Sequence, residues 1–254
     1  MPHPFPDFRL TGQVTVVTGG GSGIGRALAH TFADAGARVV VLDANGAAAE
    51  QVANEIGSMA QHAVADVSNE DAIESVMKDV ARQHGRIDVL FNNAGVNRRN
   101  TSFDLTIADW NAVVAVNMTG MFLCARAAAR HMRDGGGGRI VNTASILGIS
   151  GGWYPNIAYQ ATKGAVVNMT RSWAVEWAPY NIRVNAVAPS IIRTPMTEAL
   201  TSQPDVVAKF EALTPLGRLC EPADMTGPVL FLATAASSMV TGHILPVDGG
   251  VLAQ

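Results

Sequence analysis

A chain of 254 residues with a net charge of −3 carries no basic footprint for nucleic acid, and its two cysteines, Cys124 and Cys220, make neither a disulfide framework nor a metal site. Apolar residues make up 48% and charged residues 15%, much interior and little surface, which suits one α/β domain with part of its outside hidden in an oligomer. Met1 to Arg9 shows no basic-then-apolar signal pattern and no run reaches the length that spans a bilayer, so the expected compartment is the cytoplasm, with no membrane partner.

In chain order, the first apolar run, Val14–Thr18, passes into Thr18-Gly19-Gly20-Gly21-Ser22-Gly23-Ile24-Gly25 and a helical pattern over Ile24–Gly36. A dinucleotide pyrophosphate needs close backbone approach and then the amides of a helix N-terminus, and a strand, glycine turn and helix supply both. The spacing Gly19-x-x-x-Gly23-x-Gly25 differs from the G-x-G-x-x-G fingerprint, so context carries the reading. That context includes Asp43, at the end of the second run, Arg38–Leu42. An acid there accepts hydrogen bonds from the adenosine ribose and repels a 2′-phosphate, which selects NAD(H); an ordinary turn aspartate before Ala44-Asn45 is the alternative.

The pattern then alternates as helix Ala47–Gly57, strand His62–Ala65, helix Glu70–Gly85, strand Asp88–Phe91, helix Ala108–Arg133, strand Arg139–Thr143, helix Asn156–Ala178, strand Ile182–Val187, helix Pro222–Ala235 and strand Ile244–Val247. Short continuous apolar runs between helices predict parallel strands covered on both faces, joined by right-handed crossovers. No linker or repeat divides the chain, so residues 1–254 read as one domain. Gly135–Gly138 lies between a helix end and a strand start, the wrong order for a phosphate cradle, and reads as a connection. Residues 188–216, with four prolines in the stretch beginning at Val187, read as a mobile lid.

Tyr159 and Lys163 share one face of the helix Asn156–Ala178. An ammonium beside a phenol favours the phenolate and is expected to lower the tyrosine from its usual pKa of about 10, giving a general acid–base for an alcohol or carbonyl.

With these motifs in order, the chain resembles the classical short-chain dehydrogenase/reductase family over essentially its full length. The resemblance rests on Thr18–Gly25, Asp66-Val67, Asn92-Asn93-Ala94-Gly95, Asn117, Ser145, Tyr159-x-x-x-Lys163, and Pro189 through Thr194-Pro195-Met196. It implies a doubly wound Rossmann fold with a seven-stranded parallel sheet in the order 3-2-1-4-5-6-7. It implies that Gly19, Ser22, Gly23 and Ile24 meet the pyrophosphate, Asp43 the ribose, and Asp66 and Val67 the adenine. Asn93, Ala94 and Gly95 would flank the cofactor, and Pro189, Ile192 and Thr194 would line its nicotinamide end. Ser145 would bind the substrate oxygen, Tyr159 would move the proton, Lys163 would assist it and reach the ribose, and Asn117 would hold a relay water. The family further implies a homotetramer joined through the helices Ala108–Arg133 and Asn156–Ala178. Two departures stand out: Ser190 replaces the glycine that usually follows the proline, and Ala144 precedes Ser145 where many members carry a second serine.

The segment Asn92–Arg99, with Glu176-Trp177-Ala178 and Val247–Gly250, looks like the sugar-acid and polyol branch, notably gluconate 5-dehydrogenase-like enzymes. Arg98 or Arg99 is placed to clamp a substrate carboxylate. Trp153, Tyr154 and Asn156, between Ser145 and Tyr159, are expected to border the substrate. The expected activity is therefore NAD(H)-dependent interconversion of a secondary alcohol and a ketone on a small molecule. The alternatives are a 3-oxoacyl thioester reductase and a nucleotide sensor without turnover; an intact Ser145–Tyr159–Lys163 set speaks against the sensor.

Overall fold

The computed structural model describes residues 7–254, so most of the Met1–Arg9 segment read for a signal pattern lies outside the described residues. Seven strands, β1 (Val14–Thr18), β2 (Arg38–Asp43), β3 (Ala60–Val64), β4 (Val89–Asn92), β5 (Gly138–Thr143), β6 (Ile182–Pro189) and β7 (Ile244–Val247), form one sheet in the order β3-β2-β1-β4-β5-β6-β7. Every neighbouring pair is parallel, as the resemblance implied.

Alternate strand residues feed two apolar layers. Val16, Val40, Leu90, Ile140 and Val184 pack against Ile73, Met77 and Val80 of α3 (Glu70–His84), the alanine-rich face of α5 (Met121–Asp134), and Trp173 and Ala174 of α6 (Ile157–Glu176). On the other face Val17, Val39, Val41, Phe91 and Val141 meet Leu28 and Phe32 of α1 (Gly23–Asp34), Ala49 and Val52 of α2 (Gly46–Ile56), and Val229 and Leu232 of α9 (Thr226–Ala233). Burying a side chain of this size contributes roughly 1.5–3 kcal/mol, so the layers fix the sheet that carries the site.

Several boundaries differ from the sequence reading. Strand β3 starts two residues earlier and ends one earlier than expected, because it pairs on one side only and its half-buried residues do not mark the strand by continuous apolarity. The helix expected over Ala108–Arg133 is three segments: α4 (Ile107–Val114), a π-helical turn at Ala115–Gly120, and α5. Thr106 sets its start by accepting the Asp109 N–H. This stretch also corrects the statement that nothing is long enough to span a bilayer. Ile107–Asp134 runs 28 residues and is apolar enough by length and composition, but it packs on the sheet, with 56% of its apolar window buried. The helix expected over Pro222–Ala235 opens with a 3₁₀ turn, Pro222–Met225, capped by Glu221 and Asp224. Two helices, α7 (Glu198–Thr201) and α8 (Pro204–Ala212), stand in the proline-rich segment after β6.

Candidate active site

A cavity of about 410 Å³ opens at the C-terminal ends of the central strands, where nucleotide sites of open parallel sheets lie. All the residues expected at the cofactor line it: Gly19, Ser22, Gly23, Ile24, Asp43, Asp66, Val67, Asn93, Ala94, Gly95, Tyr159, Lys163, Pro189, Ile192 and Thr194. The glycines answer to sterics. Gly19 has φ of +63°, and a Cβ there would stand 2.9 Å from Cα of Ala94; a Cβ on Gly25 would stand 2.0 Å from the Gly19 carbonyl oxygen. Ser22, in extended conformation, caps α1 without a side-chain hydrogen bond, so no side chain claims the first amides of the helix. Asp43 is a turn aspartate, its two oxygens accepting the N–H groups of Gly21 and Asn45, each at 2.9 Å, and it also lines the cavity.

Strand ends are clamped across the sheet. The Thr18 hydroxyl accepts the N–H groups of Asn93 and Ala94 at 2.9 and 3.0 Å, and the Asn93 amide donates to the Thr18 carbonyl at 3.1 Å and accepts the Thr143 hydroxyl at 3.2 Å. Asn117, fully buried in the π turn, accepts the Val96 N–H at 2.8 Å and donates to the Val96 carbonyl at 2.9 Å and to Thr162 at 3.4 Å. Its side chain thus braces the loop after β4 rather than facing the cavity.

Ser145, just past β5, accepts the Leu147 N–H at 3.1 Å and, with Tyr159, lines a second, smaller cavity of about 50 Å³. Lys163 is 2% exposed, and its Nζ donates to the Thr143 carbonyl at 2.5 Å and lies 5.4 Å from the centre of the Tyr159 ring. The electrostatics correct the sequence expectation. Burial pushes Tyr159 up to about 12, aided by Tyr154 and opposed by a hydrogen bond from Ser145 and the charge of Arg99. Burial also brings Lys163 down to about 8. Desolvation outweighs the attraction read from the spacing, because the ammonium sits over the ring face and bonds to a carbonyl.

Of the residues expected to meet the substrate, Arg99, Trp153 and Tyr154 line the small cavity. Arg98 does not: its guanidinium is 3.7 Å from Asp109 and donates to the Asn97 carbonyl, which draws it away from the cleft. Asn156 is absent from the lining. It is 2% exposed and lowers the Tyr154 phenol, which burial raises. Sequence reasoning missed Asn97, Ile191 and Phe210 in this lining, as well as Thr197 in both cavities. Phe210, on α8, packs edge-on against Tyr154 at 6.0 Å, and no local motif marks it.

A nicotinamide dinucleotide fits these residues: Gly19 and Gly25 let the turn close tightly where a Cβ would strike the main chain of Ala94 or Gly19, no side chain claims the helix N-terminus, and a carboxylate ends the second strand. Residues 12–252 match the family model described as Enoyl-(Acyl carrier protein) reductase. A galactitol 2-dehydrogenase (L-tagatose-forming) of Cereibacter sphaeroides is 41% identical over 246 residues, 96% of each chain. A gluconate 5-dehydrogenase from Burkholderia cenocepacia, solved with NADP and tartrate, superposes with a TM-score of 0.95 at 36% identity, covering 99% of this chain and 100% of that one. A 3-ketoacyl-(acyl-carrier-protein) reductase from Brucella melitensis, solved with NADH, gives a TM-score of 0.89 at 36% identity over 95% of this chain and 99% of its own.

Proposed function

The chain belongs to the short-chain dehydrogenase/reductase family of oxidoreductases, and on that premise we propose that it interconverts secondary alcohols and ketones of polyols or sugar acids, with NAD(H) as its cofactor. The observation that carries this reading is the junction of the two cavities, where Tyr159 belongs to both linings, Ser145 to the smaller and Lys163 to the larger.

Held in the larger cavity, the nicotinamide supplies or takes up the hydride. Gly19, Ser22, Gly23 and Ile24 receive the pyrophosphate, Asp43 the adenosine ribose, and Asp66 and Val67 the adenine. Asn93, Ala94, Gly95, Pro189, Ile192 and Thr194 enclose the remainder. Ser145 donates to the substrate oxygen as charge develops there. Tyr159 gives that oxygen a proton in reduction and takes it in oxidation. Lys163 lies over the face of the Tyr159 ring and reaches the neighbouring ribose. Asn117, whose side-chain amide is bonded to Val96, would hold the relay water that the family resemblance implies. Residues 188–216 act as the lid, and Arg99, which has no carboxylate partner among the described residues and lines the small cavity, clamps an anionic substrate group.

NAD(H) is favoured because β2 ends beside the cavity in the Asp43 carboxylate, followed by Ala44 rather than a basic residue. Exposed Val175, Ile157 and Phe122 on α5 and α6 support assembly, as a homotetramer, through those helices. Two buried cysteines left as free thiols suit the reducing cytoplasm. A spectrophotometric screen of galactitol, gluconate and 3-oxoacyl thioesters with NAD(H) and NADP(H) tests the reading. Turnover of the polyol or sugar acid is the expected result; turnover of the thioester alone, with NADPH, transfers the chain to the acyl-reductase alternative.

A further inference from the structure

Four residues belong to both cavities: Tyr159, Ser190, Met196 and Thr197. They frame the passage through which a reacting carbon must face the cofactor. Met196 is apolar, and Tyr159 is committed to proton transfer. The Thr197 hydroxyl is spent within its own turn, donating to the Ile192 carbonyl and accepting the Thr194 N–H at 3.1 Å. Ser190 differs from these three. Its main chain is fixed to β7 through an N–H bond to the Val247 carbonyl at 3.3 Å, but its hydroxyl has one partner, the Cys220 sulfur at 3.4 Å. The thiol in turn donates to the Val247 carbonyl at 3.5 Å. Sulfur is a weak acceptor, so the Ser190 hydroxyl retains both lone pairs and a proton that a better acceptor can take. Its φ is not positive, so the side chain costs no backbone strain.

We propose that Ser190 is a specificity-determining residue that hydrogen-bonds a hydroxyl on the carbon next to the reacting centre, so that the site selects vicinal diols and α-hydroxy ketones over their monofunctional counterparts. The inference rests on the alcohol–ketone reading above and names a substrate feature within it. Ser145 and Tyr159 hold the reacting oxygen, and among the four residues that frame the passage Ser190 is the one polar side chain with hydrogen-bonding capacity left to meet its neighbour. A substrate lacking that hydroxyl leaves the serine on a thiol, while a substrate bearing it gains a bond of ordinary strength.

The test is a ratio. Values of kcat/KM are measured for meso-2,3-butanediol against 2-butanol, and for acetoin against 2-butanone in the reductive direction, with the wild type, Ser190→Ala and Ser190→Gly. The wild type is expected to favour the hydroxyl-bearing member of each pair, and both variants to lose about tenfold of that ratio, the worth of one hydrogen bond. Dissociation constants of acetoin and 2-butanone on NADH-bound Tyr159→Phe, with and without Ser190→Ala, read the same ratio without turnover. A wild type without the preference, or a drop shared equally by both members of a pair, overturns the inference. A protein that oxidises galactitol or gluconate yet shows either result keeps the proposed function and loses this specificity; one that turns over none of these alcohols loses both.

Discussion

Tyr159 and Lys163 illustrate what residue spacing can and cannot convey. The interval places both on one helical turn, and both do line the cavity. It says nothing of the medium around them, and there burial raises the phenol to about 12 and lowers the ammonium to about 8. Tyr159→Phe keeps the ring and removes the transferable proton, so kcat should fall by about 10²–10⁴-fold while NADH still binds; a variant with near-normal kcat would remove this tyrosine from the chemistry. Lys163 makes a separate prediction for the nucleotide-free protein. A lysine lowered from 10.5 to about 8 leaves the unfolded chain with more bound protons between those values, so its cost is full below pH 8 and lifts as pH rises toward 10.5. Tyr159, raised from 10.0 to about 12, makes stability fall again above pH 10. Lys163→Met should therefore unfold later than the wild type at pH 7, by about 3 kcal/mol less the lost bond to Thr143. Thermal scans from pH 7 to pH 10 should show that gap closing, and a gap independent of pH would contradict it. Arg98 and Arg99 show the same limit of sequence, since one neighbour differs from the other only through Asp109, an ion pair between segments no local pattern joins.

At the scale of elements, the glycine turn and Asp43 work as one device. The carboxylate that lines the cavity also holds the amides of Gly21 and Asn45. Like charges about 4 Å apart repel by roughly 1–4 kcal/mol, so NAD should be preferred to NADP by about ten- to several-hundred-fold. Asp43→Ala should narrow the preference and also weaken NAD binding, because the turn loses its acceptor; kcat/KM with both nucleotides checks this, and equal or better efficiency with NADP in the wild type would refute it. The buried strands and the helices α1 to α3 were legible because their apolar periods match what the sheet covers. Less legible were β3, half-buried at the edge, and the division of Ile107–Asp134, where the Asn117 amide bonded to Val96 accompanies a π turn that no periodicity announces. The helices α7 and α8 were lost in a proline-rich stretch that reads as loop.

For the whole molecule, most of the apolar surface of α6 is buried within one subunit. Val166, Val167 and Trp173 are buried there, so a charge at Val167 would break the core rather than an interface. Val175, 78% exposed on the same helix, is the sounder probe. Light scattering is expected to give a mass near four times the 26.6 kDa chain, and Val175→Glu to lower it; a wild-type mass of one chain would exclude assembly. The strand order carries one more consequence. The central strand β4 pairs with β1 from far back in the chain, whereas β1, β2 and β3 follow one another closely. On a ribosome adding about 5–20 residues per second, β1 emerges roughly 4–14 s, and β3 roughly 1–5 s, before β4 can close the open edge of β1. During that interval the buried valines of β1 present unpaired backbone to any neighbouring nascent chain. A fragment ending before Val89 keeps that edge permanently, and is expected to aggregate where the full chain does not.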